Sequence, residues 1–136
     1  MDRGRPVRLV AGAARDPVWS SSGDLIVYTG ANVSVDAPLL AIRADGTKVE
    51  LPAIRLRVEG NRYRFLPNGR ALVYAQGPFP AQDFWLLDLA TKKSRQLSRF
   101  SNSAATHSFD VTADGKQIVF DRVRENADIV LIDLAR

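Results

Sequence analysis

Three stretches of the chain repeat one arrangement of polar and apolar positions. Ser22-Gly23-Asp24-Leu25-Ile26-Val27-Tyr28, Asn68-Gly69-Arg70-Ala71-Leu72-Val73-Tyr74 and Asp114-Gly115-Lys116-Gln117-Ile118-Val119-Phe120 each run from a small polar residue and Gly, through two variable positions, to two aliphatics and an aromatic ring. The three glycines are spaced 46 residues apart. Ser-Gly, Asn-Gly and Asp-Gly suit hairpin turns, because Gly tolerates the positive φ that such turns demand. Before each turn, bulky residues alternate as in a strand (a): Pro17 and Trp19, Tyr63 and Phe65, Phe109 and Val111. After each turn, 25–29, 71–75 and 117–121 are rich in β-branched and aromatic residues, predicting a strand (b) buried on both faces. A third apolar run (c) follows at 39–42, 84–89 and 129–134. Turns at Ala44-Asp45-Gly46 and Ala90-Thr91-Lys92-Lys93 then lead to a shorter strand (d) that ends in Leu51 and Leu97, again 46 apart. No stretch sustains a 3.6-residue amphipathic period, so essentially no helix is predicted.

Four hairpin-linked antiparallel strands in about 46 residues make a propeller blade, a unit that buries its apolar faces only by stacking on neighbours. The predicted fold is therefore an all-β propeller with blades over 16–52, 61–98 and 107–134. The third copy stops after strand c, while Arg5-Pro6-Val7-Arg8-Leu9-Val10 reads as an orphan strand d with Leu9 in the role of Leu51 and Leu97. Propellers close with about four to eight blades, so three do not suffice. Two chains supply six, and the expected partner is a second copy, with strand 5–10 of each chain pairing with strand 129–134 of the other. The rival expectation is half of a longer single-chain propeller.

The residues around these turns resemble the TolB-like β-propeller repeat family, relatives of the WD and prolyl-oligopeptidase propellers. Its signature, an aromatic strand, Ser-Pro-Asp-Gly, two variable positions and then aliphatic and aromatic residues, is matched by Trp19-Ser20-Ser21-Ser22-Gly23-Asp24-Leu25-Ile26-Val27-Tyr28. Phe65-Leu66-Pro67-Asn68-Gly69 and Val111-Thr112-Ala113-Asp114-Gly115 match it again, with proline kept only as Pro67 and aspartate only as Asp114. The stretch from Ser108 to Leu134 is also similar to the end of propellers appended to bacterial signalling proteins, often kinase-like or winged-helix fusions. That resemblance implies a sensing or docking role. Neither a Gly-rich nucleotide loop with its lysine nor a recognition helix is present in the sequence.

Composition changes this picture little. The chain has 136 residues, 46% hydrophobic and 25% charged, with a net charge of +4; these are the proportions of an ordinary globular domain. It contains no cysteine, which excludes disulfides, thiol chemistry and Cys-containing zinc sites. Met1 to Pro6 lacks the apolar core of a secretion signal, so the expected compartment is the cytoplasm, or an extracytoplasmic one if the chain belongs to a larger exported protein. Arg55, Arg57, Arg62 and Arg64 interleave with Tyr63 and Phe65 as a single-strand nucleic-acid groove would. Glu59 interrupts the run and the rings fall where the repeat needs core residues, so it is read as a solvated loop and strand edge, with no nucleic-acid partner.

Candidate chemistry is sparse. His107, the only histidine, has Ser101, Ser103, Ser108 and Asp110 nearby, but neighbours on one strand point in divergent directions and do not build a triad. The Gly-x-Ser-x-Gly elbow is absent. Asp36, Asp83 and Asp128 recur near the starts of strands c, where Asp ties down loops through backbone N–H groups. Asp88 and Asp133 recur within strands c and are read as structural. No metal site or cofactor is expected. Val18, Arg64 and Asp110 occupy equivalent positions of the innermost strand, where Arg64 and Asp110 either meet a polar ligand or pair with each other between blades. Phe79, between Pro78 and Pro80, is either a partner-binding ring or folded onto its blade. Arg64, Asp110, Phe79 and His107 are thus the candidate ligand or partner residues of a non-enzymatic scaffold for protein interaction or ligand sensing. The alternative is the accessory propeller of a peptidase- or glycosidase-type hydrolase with catalysis elsewhere.

Overall fold

A computed structural model describes residues 4–58, 62–100, 104–123 and 127–134. The described chain is all β and antiparallel, in three sheets. Sheet I runs β1 (Arg15–Trp19), β2 (Leu25–Thr29), β3 (Asp36–Arg43), β4 (Lys48–Val49), with β5 (Arg55–Arg57) paired to the first residues of β3. Sheet II runs β6 (Tyr63–Phe65), β7 (Ala71–Gln76), β8 (Asp83–Asp88), β9 (Ser94–Gln96). Sheet III runs β10 (Phe109–Val111), β11 (Gln117–Val123), β12 (Ala127–Asp133).

The repeat holds at the level of register. Val18 pairs with Val27, Arg64 with Val73 and Asp110 with Val119. Each first turn is made by a glycine in the left-handed region, Gly23 at φ 73°, Gly69 at 69° and Gly115 at 72°, where a side chain is disfavoured. The neighbouring polar residue bonds the turn locally: Asn68 Oδ1 accepts the Arg70 N–H at 2.9 Å, and Asp114 Oδ1 that of Lys116 at 3.0 Å. Ser20 Oγ and Thr112 Oγ1 accept the first N–H of the strand beyond the turn, from Leu25 and Gln117.

Alternation sends successive strand b side chains to opposite sides of each sheet. Leu25, Val27, Leu39 and Ala41 of sheet I pack with Tyr63, Leu72, Tyr74 and Leu87 of sheet II. Val73, Ala75 and Phe84 on the other side of sheet II pack with Phe109, Ile118 and Phe120 of sheet III. Phe84 sits edge-on to Phe109 at 4.9 Å and to Phe120 at 5.1 Å between ring centroids. Each fully buried aliphatic in these layers contributes about 1.5–3 kcal/mol. β6 touches both β1 and β10, so the three a strands form the innermost row.

Within the single chain, the 5–10 segment expected to pair with a second copy packs its Leu9 and Val10 on Ile26, Tyr28 and Ile42 at the outer side of sheet I. Two features depart from the sequence reading. The Arg55–Arg57 stretch, expected as solvated loop and strand edge, is the added strand β5, with Leu56 wholly buried between its arginines. Trp19, which shares its repeat position with the core-assigned Phe65, is 53% exposed. It faces away from sheet II, on the side where no described sheet lies. Glu59, Ser101 and Ser103, and the side chain of Asp128, lie outside the described residues.

Candidate binding surface

The innermost row presents Val18, Arg64 and Asp110 at the predicted equivalent positions. Arg64 Nε stands 3.7 Å from Asp110 Oδ1, joining sheets II and III. Arg64 Nη1 also donates to the Tyr63 carbonyl at 2.9 Å, and Asp110 Oδ1 accepts the Val111 N–H at 2.8 Å. The pair is the internally satisfied arrangement among the two the sequence left open. Because Asp110 is largely exposed, its Coulombic worth is about 0–1 kcal/mol.

Between β1 and β6 lies a cavity of about 310 Å³, lined among others by Asp16, Thr29, Arg57, Arg62, Tyr63 and Arg64. Arg62, on the basic stretch, is buried rather than solvated. Its Nη1 donates to Gln82 Oε1 at 2.8 Å and to the Thr106 carbonyl at 2.9 Å, tying sheet II to the segment that enters sheet III. The Tyr63 hydroxyl donates to the Asp16 carbonyl. Burial raises the Tyr63 pKa, and Asp16 adds to the effect, so the phenol stays a donor.

Phe79 is 49% exposed, and the Arg57 guanidinium lies over its ring at 4.4 Å from the centroid. The ring is thus half exposed with one face under a cation, and Arg57 links the loop to the cavity.

His107 is exposed, and its backbone N–H rather than its imidazole is engaged, donating to Asp121 Oδ1 at 2.7 Å. Asp121 also accepts the Ser108 N–H and hydroxyl, each at 3.1 Å. Partial burial pushes the Asp121 carboxyl up, but the bonds from Ser108 and His107 outweigh it and the pKa is lowered. The sequence reading missed Asp121, although a signal existed: it stands 46 residues after Ala75 and 92 after Thr29, a charge at a position the other copies bury. The loop-tying role expected of Asp83 is present, since Oδ1 accepts the Phe100 N–H at 2.8 Å and the Ser98 hydroxyl at 3.0 Å. Asp88 Oδ1 accepts the Ala90 and Thr91 N–H groups at 2.9 Å, and its pKa is lowered foremost by the bond from Thr91. Among the described residues no three His, Asp or Glu side chains converge as a metal site would require, and no helix is long and apolar enough to cross a membrane.

No protein-family model matches the sequence, and no curated protein matches it significantly. The structure is similar to solved propellers. TolB from Acinetobacter baumannii superposes with a TM-score of 0.72 at 16% identity, over 98% of this chain and 33% of that one. The β-propeller domain of the Trilobed protease from Pyrococcus furiosus gives 0.60 at 15%, over 90% of this chain and 39% of that one. A eukaryotic initiation factor gives 0.63 at 14%, over 98% of this chain and 31% of that one. The chain thus spans about a third of the length of these proteins. At so low an identity the likeness shows the architecture alone. Strand order, the 46-residue register and these superpositions together give this chain the TolB-like β-propeller fold.

Proposed function

We propose that the chain is a non-enzymatic propeller scaffold that binds a protein partner through the Phe79 loop, with the adjacent arginine-lined cavity as a subsidiary polar contact. The observation that carries this reading is Phe79 itself, half exposed on a loop with prolines on both sides and braced by Arg57. Aromatic rings and arginines are the side chains that dominate binding hot spots, and a ring already held in place loses little entropy on binding. In support of the non-enzymatic part, two carboxylates of the sheets, Asp121 and Asp83, are occupied in holding backbone N–H groups.

The test is the Phe79→Ala variant. It is expected to keep the wild-type melting temperature within about 2 °C, as surface changes do, and to lose a protein that the wild type retains from its native lysate. A drop of more than about 5 °C would show that the ring serves stability instead. Turnover of a peptide, ester or glycoside, abolished by His107→Ala or Asp121→Asn in a folded protein, would overturn the scaffold reading. The similarity to a protease's propeller domain favours a second reading, an accessory propeller whose catalytic part lies elsewhere.

A further inference from the structure

The two outer faces of the three-sheet stack are the two halves of its own internal interfaces. At the sheet III end, strand c positions show this directly. Leu39, Phe84 and Ile129 pair with Thr29, Ala75 and Asp121 at equivalent places in the three sheets. Leu39 is 2% and Phe84 1% exposed, because the next sheet covers each of them. Ile129 is 83% exposed, and Leu131, opposite Val119, is half exposed beside it.

At the other end, Ile26 and Tyr28 take the places that Leu72 and Tyr74, then Ile118 and Phe120, occupy beneath a preceding sheet. Trp19 matches Phe65 and Val111, which pack into the internal layers, yet it is the exposed one of the three. Leu51 packs in the first internal layer and Leu97 in the second. Leu9 packs against Ile26, Tyr28 and Ile42 in the same relation. The N-terminal segment therefore already lies where strand d of a preceding sheet belongs, and the described residues hold no a, b or c strand beside it. At the far end, β12 has no strand on its outer edge among the described residues, where β8 carries β9.

From this complementarity we infer that the occupant of each end is a second copy of the chain. Sheet III of one copy stacks on sheet I of the other, and the partner's 5–10 segment lies along β12. The contact is heterologous, one face meeting a different one, and it repeats an interface the chain already makes twice. Two copies bring six sheets, within the range of about four to eight that closes a ring, so both open ends are covered at once. The closed channel then carries two Arg64–Asp110 pairs. This goes beyond the scaffold reading and does not depend on it, since mass is measured without any external partner.

The experiment is light scattering on a sizing column over a wide concentration range, with one variant on each face. The wild type is expected at about 30 kDa, twice the 15.0 kDa chain. Ile129→Glu and Trp19→Asp each place a charge in the contact while changing a side chain exposed in the single chain. Both are expected to run at 15.0 kDa with an unchanged far-UV circular dichroism spectrum. A wild type of 15.0 kDa throughout would overturn the inference and assign both faces to blades of a longer chain. Masses growing with concentration beyond two chains would replace the ring by an open filament. If only one variant dissociates, like faces meet and the heterologous contact is refuted. Should Ile129→Glu misfold, Leu131→Lys tests the same face.

Discussion

One repeat position, occupied by Leu39, Phe84 and Ile129, offers three experiments on the same register with different surroundings. Truncation of Leu39 to Ala removes three carbons, worth about 2.4 kcal/mol at about 0.8 per buried methylene, and about 2–5 kcal/mol once the cavity is counted. Phe84 meets Phe100, Phe109 and Phe120 with ring centroids 6.1, 4.9 and 5.1 Å away, and its truncation is expected to cost about 3–5 kcal/mol. That is a large part of the roughly 5–15 kcal/mol that holds a domain together, so Phe84→Leu, at about 1–2 kcal/mol, serves as the milder measurement. With 83% of Ile129 exposed, Ile129→Ala should cost the single chain only about 0.4 kcal/mol, from the same transfer term. Urea unfolding followed by Trp fluorescence and circular dichroism measures all of these. It is best done in a Trp19→Asp background, where a single chain is expected. Equal costs for Ile129→Ala and Leu39→Ala there would refute the assignment of Ile129 to an open face. A cost below about 1 kcal/mol for Phe84→Ala would refute the packed layer between sheets II and III.

Stability should fall at both ends of the pH scale through identifiable groups. The pKa of Asp121 is lowered on folding, so its contribution is complete above the ordinary carboxylate range near 4 and is lost as pH falls below it. Asp121→Asn should therefore be less stable than wild type at pH 7 and converge with it in acid, as read by urea midpoints. The pKa of Tyr63 is raised by burial, so its contribution is complete below about pH 10 and is lost as pH rises further; Tyr63→Phe should flatten the alkaline limb. Gly69→Ala forces a side chain into φ 69° with its Cβ 3.0 Å from Ser21 Oγ. It is expected to cost about 1–2 kcal/mol in urea unfolding, and an unchanged midpoint would contradict the left-handed turn.

The repeat was legible in the sequence because its determinants are local. A glycine at positive φ, two-residue alternation and a leucine closing strand d each act within a few residues, and the 46-residue spacing multiplied the signal. The same locality placed Arg64 and Asp110 at equivalent register positions and put loop-tying bonds on Asp83 and Asp88. Whether a side chain is covered is not local. The sequence assigns Trp19 and Phe65 the same place, as it does Ile129 and Phe84, and the presence or absence of a neighbouring sheet separates the exposed member of each pair from the covered one. Arg62 read as part of a solvated basic run, and the tertiary structure buried it against Gln82 and the Thr106 carbonyl, groups 20 and 44 residues away. The sequence by itself therefore determined the repeated strands, the turns between them and their register, through steric and hydrogen-bonding rules that span a few residues, but not the added strand β5. Tertiary structure alone decided which faces are open, which charges are satisfied and that Phe79 rests on Arg57. Those outcomes depend on which segments, distant along the chain, compete with water for the same surface.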